Sequence, residues 1–348
     1  MSEARYDVVI AGGGPVGCAL SIALSNYGVS HAVVERDWAP FPLPRAVVMD
    51  AELHRAFIHH GLGDALSPLL TDMRAADYAD VTGTRVTGID FDGIRLYGGL
   101  APSSLFHQPE LETLLHSEVM RREAHIVTGA SFTGVHATDE VATVSLDDGT
   151  VVTGRFVVGC DGASSTIRRS LGLGWLDLGF DQDWLVVDLE LFDRSTCGLP
   201  EVARQVCDPV RPTTLVSGHR DMYRFEFQLQ PGEDPGEMQR PERTWELLAP
   251  WIGPQQARLV RAASYRFHAA VATSMRRGRV FLAGDAAHQM PPFMGQGLNS
   301  GLRDIFNLAW KLRWVLSGVA DDSLLDTYEA ERIEHATAVV HQLSLIHI

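Results

Sequence analysis

Paired cysteines, an excess of basic charge and long apolar runs are all missing from this sequence of 348 residues. Its four cysteines show neither the spacing of a metal site nor that of a secreted disulfide framework. The formal net charge of −15 argues against nucleic acid as a partner, because phosphate binding requires clustered lysine and arginine. No apolar run reaches the ~18 residues that a membrane span needs. We therefore expect a cytoplasmic protein with no signal peptide, no membrane partner and no bound metal ion.

Three glycine-bearing segments are the most informative features that the sequence does contain. They are Gly12–Gly17, Cys160–Gly162 and Phe281–His288. Any one of them alone would be weak evidence. Together, in this order and far apart in the chain, they indicate that each holds a different part of one FAD molecule.

The first segment lies between a predicted strand (6–11) and a predicted helix (15–27), the context that the G-x-G-x-x-G pattern requires. Gly12 allows the tight turn, Gly14 lets the backbone approach a pyrophosphate, and Gly17 lets the helix pack on the strand. The helix start offers unpaired N–H groups to the phosphates.

A second strand over His31–Glu35 completes this nucleotide-binding unit. Glu35, at its end, is expected to accept hydrogen bonds from the adenosine ribose, and Arg36 belongs to the same neighbourhood.

The other two segments favour FAD over NAD. Predicted strands over 155–160 and 279–283 end at Asp161-Gly162 and Gly284-Asp285, where a carboxylate can reach a sugar-alcohol hydroxyl such as the ribityl chain. A predicted helix from Ser164 to Leu171 follows the first of these motifs. After the second, residues 291–299 lead into a long amphipathic helix ending at Leu316, whose N–H groups would face an anionic flavin edge.

The strand-like and helix-like patterns in the rest of the sequence predict an α/β protein. It should have a Rossmann-like FAD-binding domain of the glutathione-reductase type and an inserted mixed-sheet α+β substrate domain. We expect the FAD-binding domain to comprise residues 1–74, 108–178 and 272–348, and the substrate domain residues 75–107 and 179–271. No second glycine fingerprint is present, so we expect no separate nicotinamide domain.

The sequence resembles the class A flavoprotein aromatic hydroxylases, the p-hydroxybenzoate hydroxylase-like FAD monooxygenases. The resemblance extends from about Tyr6 to about His341 and is most specific over Arg279–Leu312. Shorter agreements occur at Pro44–Ala46, Phe106–Glu112, Arg224–Phe227, Pro231–Glu233 and Leu325–Arg332. Within the family, the 3-(3-hydroxyphenyl)propionate/3-hydroxycinnamate hydroxylases are most similar. Relatives commonly continue into a thioredoxin-like C-terminal domain, which we do not expect in this sequence.

Motifs and resemblance together give a set of expected cofactor contacts. They are Gly12, Gly14, Pro15, Gly17, Glu35, Arg36, Arg45, Gln108, Asp161, Gly162, Gly284, Asp285, Pro292, Gly295, Gln296, Gly297, Leu298 and Asn299. Alternative interpretations make Arg45 a surface salt-bridge residue and Gln108 a helix-capping neighbour.

The resemblance also implies catalytic candidates, namely Arg224, His288 and Pro292. No catalytic base is identified. His219, Tyr223, Tyr265 and His268 lie in the predicted substrate domain, but such residues are more typical of a hydrogen-bonded core.

The resemblance implies a two-part reaction with a small phenolic substrate. NADH or NADPH reduces the bound FAD, O2 adds to give a flavin C4a-hydroperoxide, and one oxygen is transferred ortho to the phenolic hydroxyl. A halogenase is disfavoured because the W-x-W-x-I-P segment is missing. Two alternatives remain, namely a polyketide- or tetracycline-type hydroxylase and a truncated flavin-binding fragment without coupled activity. For the oligomeric state, we expect a monomer or a homodimer.

Overall fold

The computed structural model describes residues 5–345, which form two eight-stranded sheets and one three-stranded sheet with helices packed on them. The strands in chain order are β1 (Arg5–Ala11), β2 (His31–Glu35), β3 (Val48–Asp50), β4 (Leu70–Asp72), β5 (Ala75–Ala79), β6 (Arg85–Asp90), β7 (Ser103–Phe106), β8 (His125–Thr128), β9 (Phe132–Ala137), β10 (Ala142–Leu146), β11 (Val151–Gly159), β12 (Trp175–Leu191), β13 (Ala203–Val206), β14 (Thr213–Ser217), β15 (Met222–Gln228), β16 (Ala257–Ala272), β17 (Arg276–Arg277), β18 (Val280–Leu282) and β19 (His288–Gln289).

The helices alternate with strands in the first half of the chain, and two long helices follow the last strand. In order they are α1 (Pro15–Asn26), α2 (Ala51–His59), α3 (Gly63–Leu66), α4 (Gln108–Arg121), α5 (Thr166–Ser170), α6 (Pro235–Met238), α7 (Pro241–Leu248), α8 (Gln296–Leu316) and α9 (Asp326–Leu345).

The first large sheet has the order β17-β18-β11-β1-β2-β8, and β10 and β9 extend it from β11. Its central strands β18, β11, β1, β2 and β8 run parallel. Strand β1 carries Val8, Val9 and Ile10 with no exposed surface, as expected for a parallel strand covered on both faces. Residues 147–150 join β10 to β11 as an antiparallel hairpin.

The second large sheet has the order β19-β16-β12-β15-β14-β13-β5-β6 and is mostly antiparallel. Strand β15 shows that the two faces of this sheet differ in polarity. Phe225 and Phe227, with no exposed surface, pack against Trp251 on one side. Because side chains alternate along a strand, Arg224 and Glu226 lie on the other face, and both are buried there.

The α/β fold with a Rossmann-like first sheet and a mixed second sheet is confirmed, with shifts in element bounds. Helix α5 is shorter than the predicted 164–171, because Ser165 accepts a hydrogen bond from the N–H of Arg168 and caps the helix. Strand β12 begins at Trp175, ahead of its buried apolar stretch. The division into two domains at the stated residues stays a prediction.

Among the helices of residues 5–345, none combines the length and the apolar character needed to cross a membrane. That same range contains no group of three or more His, Cys, Asp or Glu side chains placed to hold a metal ion.

Candidate functional site

The turn between β1 and α1 uses its glycines for different reasons. A Cβ on Gly12, whose φ is +111°, would lie 2.4 Å from the Cys160 carbonyl oxygen, and one on Gly17 would lie 1.9 Å from the Gly12 oxygen. A Cβ on Gly14 would meet nothing within 4 Å. Packing therefore requires glycine at two positions, whereas at Gly14 the missing side chain leaves open space beside the backbone.

The N-terminus of α1 faces the same open space. Gly14 is its N-cap and makes no side-chain capping bond, and Pro15 occupies the first turn. Beside it, the Glu35 carboxylate accepts a hydrogen bond of 2.7 Å from the N–H of Gly13. Arg36 is exposed and pairs with the adjacent Asp37 at 2.7 Å. The turn thus presents an uncapped helix end with a carboxylate held at its side.

The end of β11 adjoins this turn, since the N–H of Cys160 donates to the Ala11 carbonyl at 2.7 Å. Asp161 follows, and its carboxylate accepts from Ser165 Oγ at 2.5 Å and from the N–H of Ile167 at 3.0 Å. Both oxygens therefore help to start α5. Gly162 next to it has a positive φ of +76°. The expected FAD contacts of Asp161 and Gly162 stay predictions.

The third segment begins within β18 and continues past its end. Gly284 packs on α1, since a Cβ there would lie 3.2 Å from Val16 Cγ2. Asp285 has an exposed side chain, yet the surrounding protein raises the pKa of its carboxyl by desolvation, against the opposing charges of His288 and Arg45. These two observations together describe a carboxylate at the floor of an open cleft.

His288 lies behind this loop and is fully buried. Its Nε2 is 2.7 Å from Asp304 Oδ2 on α8, and the same oxygen accepts from the N–H of Gly284 at 3.0 Å. Arg332 on α9 donates to Asp304 Oδ1 at 2.8 Å. Burial would raise the pKa of Asp304, but His288 and Arg332 outweigh it and hold that pKa below its ordinary value. Through Asp304, His288 helps to hold the loop that carries Gly284 and Asp285. Its catalytic role stays a prediction.

The segment before α8 is the fourth part of the site. Gly295 is the N-cap of α8 with φ +64° and no side-chain capping bond, and a Cβ there would lie 2.7 Å from Val48 Cβ. Asn299 fixes the first turn, since its Nδ2 donates to the Val48 carbonyl at 3.0 Å and its Oδ1 accepts from the N–H of Asp50. Four further predicted contacts are half-buried here, namely Pro292, Gln296, Gly297 and Leu298.

Gln108 shapes the loop at residues 44–46 from within the protein. Its Oε1 accepts from the N–H groups of Arg45 and Ala46 at 3.2 and 2.5 Å, and its Nε2 donates to Glu112 at 2.6 Å. The Arg45 side chain remains exposed and lies over the Phe41 ring at 3.7 Å. Gln108 thus positions the backbone that carries Arg45, and a direct FAD contact of either side chain stays a prediction.

Arg224, on the second sheet, binds the same loop by hydrogen bonds. Its guanidinium donates to the Pro44 carbonyl at 3.1 Å, to the Arg45 carbonyl, and to Asp188 Oδ1 at 2.7 Å. Arg261 on β16 also donates to the Pro44 carbonyl. The sheet behind the loop is therefore tied to the backbone at Arg45, which stands near Asp285.

The separate segments meet in one place. Arg168 bridges two of them, because its Nη1 donates to the carbonyls of Ala163 and Ala286, each at 3.4 Å. A Cβ on Gly301 of α8 would touch both Val16 and Gly284. The structure thus brings together the three glycine segments and the start of α8.

A sequence profile of a family described as an FAD binding domain matches residues 5–343. The chain belongs to the FAD-binding domain family. FAD is therefore the cofactor of this fold.

This FAD-binding protein is similar to aromatic hydroxylases of known sequence. It is 38% identical over 347 residues to a probable NADH-specific resorcinol 4-hydroxylase of Rhodococcus jostii, covering 97% of this chain and 64% of that protein. It is 35% identical over 357 residues to a 3-(3-hydroxy-phenyl)propionate/3-hydroxycinnamic acid hydroxylase of Mycolicibacterium smegmatis, covering 99% of this chain and 61% of that protein. The chain thus spans less than two thirds of the length of these relatives. The predicted resemblance to this group of hydroxylases is confirmed.

A solved structure of aklavinone-11 hydroxylase in a ternary complex with FAD and aklavinone gives the same fold. Its TM-score is 0.87 at 29% identity, and the match covers 99% of this chain and 68% of that one.

The residues of the FAD-binding protein fit the cofactor on their own geometry. Two helices start at glycine N-caps without side-chain caps, so their N–H groups are suited to anionic parts of a ligand. Open space beside Gly14 admits a pyrophosphate, and the accessible carboxylate of Asp285 is suited to ribityl hydroxyls.

Several residues that organise the site were missed by sequence reasoning. Asp304 is the clearest, and a signal for it existed. It interrupts the apolar positions Leu302, Ile305 and Leu308 on the buried side of α8, where an ionisable residue needs a partner. Asp188 and Glu226 in the second sheet were also missed.

Proposed function

We propose that this chain forms the core of an FAD-dependent monooxygenase that uses NADH and O2 to hydroxylate a phenolic substrate ortho to its hydroxyl. One observation carries the proposal. A buried polar face of the second sheet, with Arg224, Glu226 and Asp188, is bound to the loop of Arg45 beside the FAD site. A polar aromatic molecule placed against that face would lie next to the cofactor.

Bound FAD supplies the redox chemistry and the activation of O2. The residues of the chain have other tasks. The glycine segments and helix starts hold the cofactor, and Arg224 with Gln108 fixes the loop that carries Arg45. The second sheet orients the substrate and excludes water from the reacting groups.

The relatives suggest the class of substrate. Resorcinol and 3-(3-hydroxyphenyl)propionate, named for two of them, are both phenols with a second polar substituent in the meta position. We propose such a meta-substituted phenol as substrate, with 3-(3-hydroxyphenyl)propionate or 3-hydroxycinnamate as first candidates. We favour NADH because the resorcinol hydroxylase relative is described as NADH-specific.

We also propose a two-domain organisation, with residues 75–107 and 179–271 as the substrate domain, and a cytoplasmic location. All four cysteines are free, which fits a reducing compartment.

The test combines a spectrum with a turnover assay on the whole chain. We expect the purified protein to carry flavin absorbance or to take up added FAD, and to oxidise NADH faster when a meta-substituted phenol is present. Mass spectrometry should detect a catechol-type product one oxygen heavier than the substrate. A polycyclic aromatic in the panel tests the polyketide-type alternative.

Two results would speak against the proposal. Substrate-stimulated NADH oxidation that yields only hydrogen peroxide would support a flavin-binding fragment without coupled activity. A protein that takes up FAD but responds to no phenol in the panel would remove phenol hydroxylation altogether.

A further inference from the structure

Glu226 is a buried carboxylate in the middle of β15 for which the fold has no evident structural use. Only 4% of the residue is exposed. It pairs with Val186 on β12 and Thr214 on β14, so it occupies an interior position of the sheet. A charged residue at such a position requires an explanation, because burial of an unpaired carboxylate is costly.

The face that carries Glu226 lies between two segments of the FAD site. Two residues before it, Arg224 donates to the carbonyl of Pro44 in the loop at residues 44–46. On the other side of Glu226, Trp184 of β12 packs against Phe293, with ring centroids 5.2 Å apart. Phe293 lies three residues before the start of α8. Glu226 therefore lies on the sheet between the Arg45 loop and the segment that leads into α8.

In the part of the chain that the structure describes, no group donates a hydrogen bond to the Glu226 carboxylate. The nearest cation is Arg224, whose Nη1 lies 3.9 Å from the carboxylate. The guanidinium of Arg224 donates its hydrogen bonds to Asp188 and to the loop carbonyls instead. Within residues 5–345, neither oxygen of Glu226 takes part in a hydrogen bond, and neither is among the fully enclosed polar atoms that lack a partner. The carboxylate thus retains access to the space in front of the sheet.

The charges around Glu226 are mixed. Desolvation raises the pKa of Glu226 to about 7, Arg224 acts to lower it and Asp188 acts to raise it further. On β16, which lies on the other side of β12 from β15, Arg261 is 3.7 Å from Asp188. The positive charge of Arg45 in the loop acts to lower the pKa of Arg261. Both protonation states of Glu226 are therefore accessible near neutral pH, as a proton acceptor requires.

Three other titratable residues of the predicted substrate domain are engaged elsewhere. Tyr223 lies on the opposite face of β15 and donates to the Pro200 carbonyl at 2.9 Å. His219 Nδ1 is bonded to Thr71 at 2.7 Å, and His268 is half-exposed beside Asp181. None of the three shares the sheet position of Glu226.

We propose that Glu226 accepts a hydrogen bond from the phenolic hydroxyl of the substrate and takes up its proton as the adjacent ring carbon is oxygenated. The O–H bond breaks, the proton moves to a carboxylate oxygen of Glu226, and the electron pair stays on the phenolic oxygen. That electron pair increases the electron density at the ortho carbon. This inference rests on the proposed phenol hydroxylation.

The test measures binding as well as turnover, with the FAD-loaded whole chain. Binding of 3-(3-hydroxyphenyl)propionate is followed by the change in flavin absorbance between about pH 6 and about pH 8. Affinity should increase about tenfold over this range, because ionised Glu226 is the stronger acceptor. In Glu226→Gln the increase should disappear. The methyl ether of the same compound, which has no hydroxyl proton to donate, should show no such dependence in either protein.

Matched variants separate this role from a merely structural one. Glu190→Gln changes an exposed carboxylate of the same sheet, paired with Arg258, and should behave as wild type. Glu226→Asp keeps the carboxylate and should restore part of the pH dependence. In turnover, Glu226→Gln should lower kcat about tenfold or more and remove the rise of kcat with pH, while FAD content stays as in wild type.

The outcomes distinguish the two proposals. If wild type hydroxylates phenols and Glu226→Gln keeps the same pH dependence of binding and of kcat, the role of Glu226 is wrong and the proposed function stands. If wild type neither binds nor hydroxylates any phenol, both are wrong.

Discussion

Asp304 Oδ2 lies 2.7 Å from His288 Nε2, and neither side chain has exposed surface. Asp304 also accepts from the N–H of Gly284 and from Arg332. One buried carboxylate thus joins α8, α9 and the loop that presents Asp285 to the cofactor cleft. The loop cannot be positioned independently of these two helices.

Replacement of Asp304 by Asn should destabilise the protein by about 3 kcal/mol or more, because it leaves Arg332 buried without its counter-charge. It should also weaken FAD retention, since the N–H of Gly284 loses a charged acceptor. Thermal unfolding and the FAD-to-protein ratio measure the two effects. Asp322→Asn, which alters a half-exposed pair with Arg276, should change stability by less than about 1 kcal/mol. Equal effects of the two substitutions would contradict a special role for Asp304.

The glycines of the first turn should separate folding from cofactor binding. Gly17→Ala places a Cβ against the Gly12 carbonyl and should destabilise the apoprotein by about 3 kcal/mol or more. Gly14→Ala meets no protein atom at a φ of −70° and should change apoprotein stability by at most about 1 kcal/mol.

The same Gly14→Ala variant should bind FAD about tenfold or more weakly, because its methyl group occupies the space assigned to the pyrophosphate. Unfolding of the apoprotein and titration with FAD give the two quantities. A Gly14→Ala variant with unchanged FAD affinity would show that the phosphates lie elsewhere.

Removal of the Asp285 carboxylate should affect the cofactor more than the fold. Asp285→Ala should weaken FAD binding by about tenfold to a hundredfold, the loss expected for a hydrogen bond to a charged acceptor. Asp92→Ala, at an exposed position in the loop after β6, is the control and should retain FAD as wild type does. Similar FAD affinities in the two variants would exclude the ribityl contact.

Glu226→Gln should make the protein more stable at neutral and alkaline pH. Burial raises the pKa of Glu226 from 4.5 to about 7, so the folded state holds a proton that the unfolded state releases over this range. The stability of wild type therefore falls as pH rises from about 4.5 to about 7 and stays lowered above it. The variant lacks this penalty of roughly 3 kcal/mol at most.

Thermal unfolding at pH 5 and at pH 8 tests this prediction. The difference between the variant and wild type should be small at pH 5 and large at pH 8. A difference that is the same at both values would mean that Glu226 ionises with an ordinary pKa in the folded protein.

Local patterns predicted the parts of the fold in which sequence neighbours decide the structure. Strand β2 has the predicted bounds, and α1 ends one residue before its predicted end at Tyr27, because apolar periodicity and Gly28 specify both. The glycine turn was predictable because Gly17 is required by a backbone contact within the motif itself, with the Gly12 oxygen.

The remainder depends on contacts between distant parts of the chain. Glu226 looks like any polar residue of an alternating strand, and only the sheet register places it opposite Val186 on the side of the Arg45 loop. The use of both Asp161 oxygens to start α5 follows from the path of the chain after β11, which no local pattern states.

Strand β16 has a consequence for any attempt to alter the substrate range. Near its start, Arg261 is paired with Asp188 on the proposed substrate face, and near its end Ala270 and Val271 pair with Gln289 and His288. A one-residue slip would turn Arg261 to the other face and would also dislodge His288 from its strand partner. An engineer can therefore exchange side chains along this strand, but an insertion or deletion within it would damage substrate recognition and cofactor retention together.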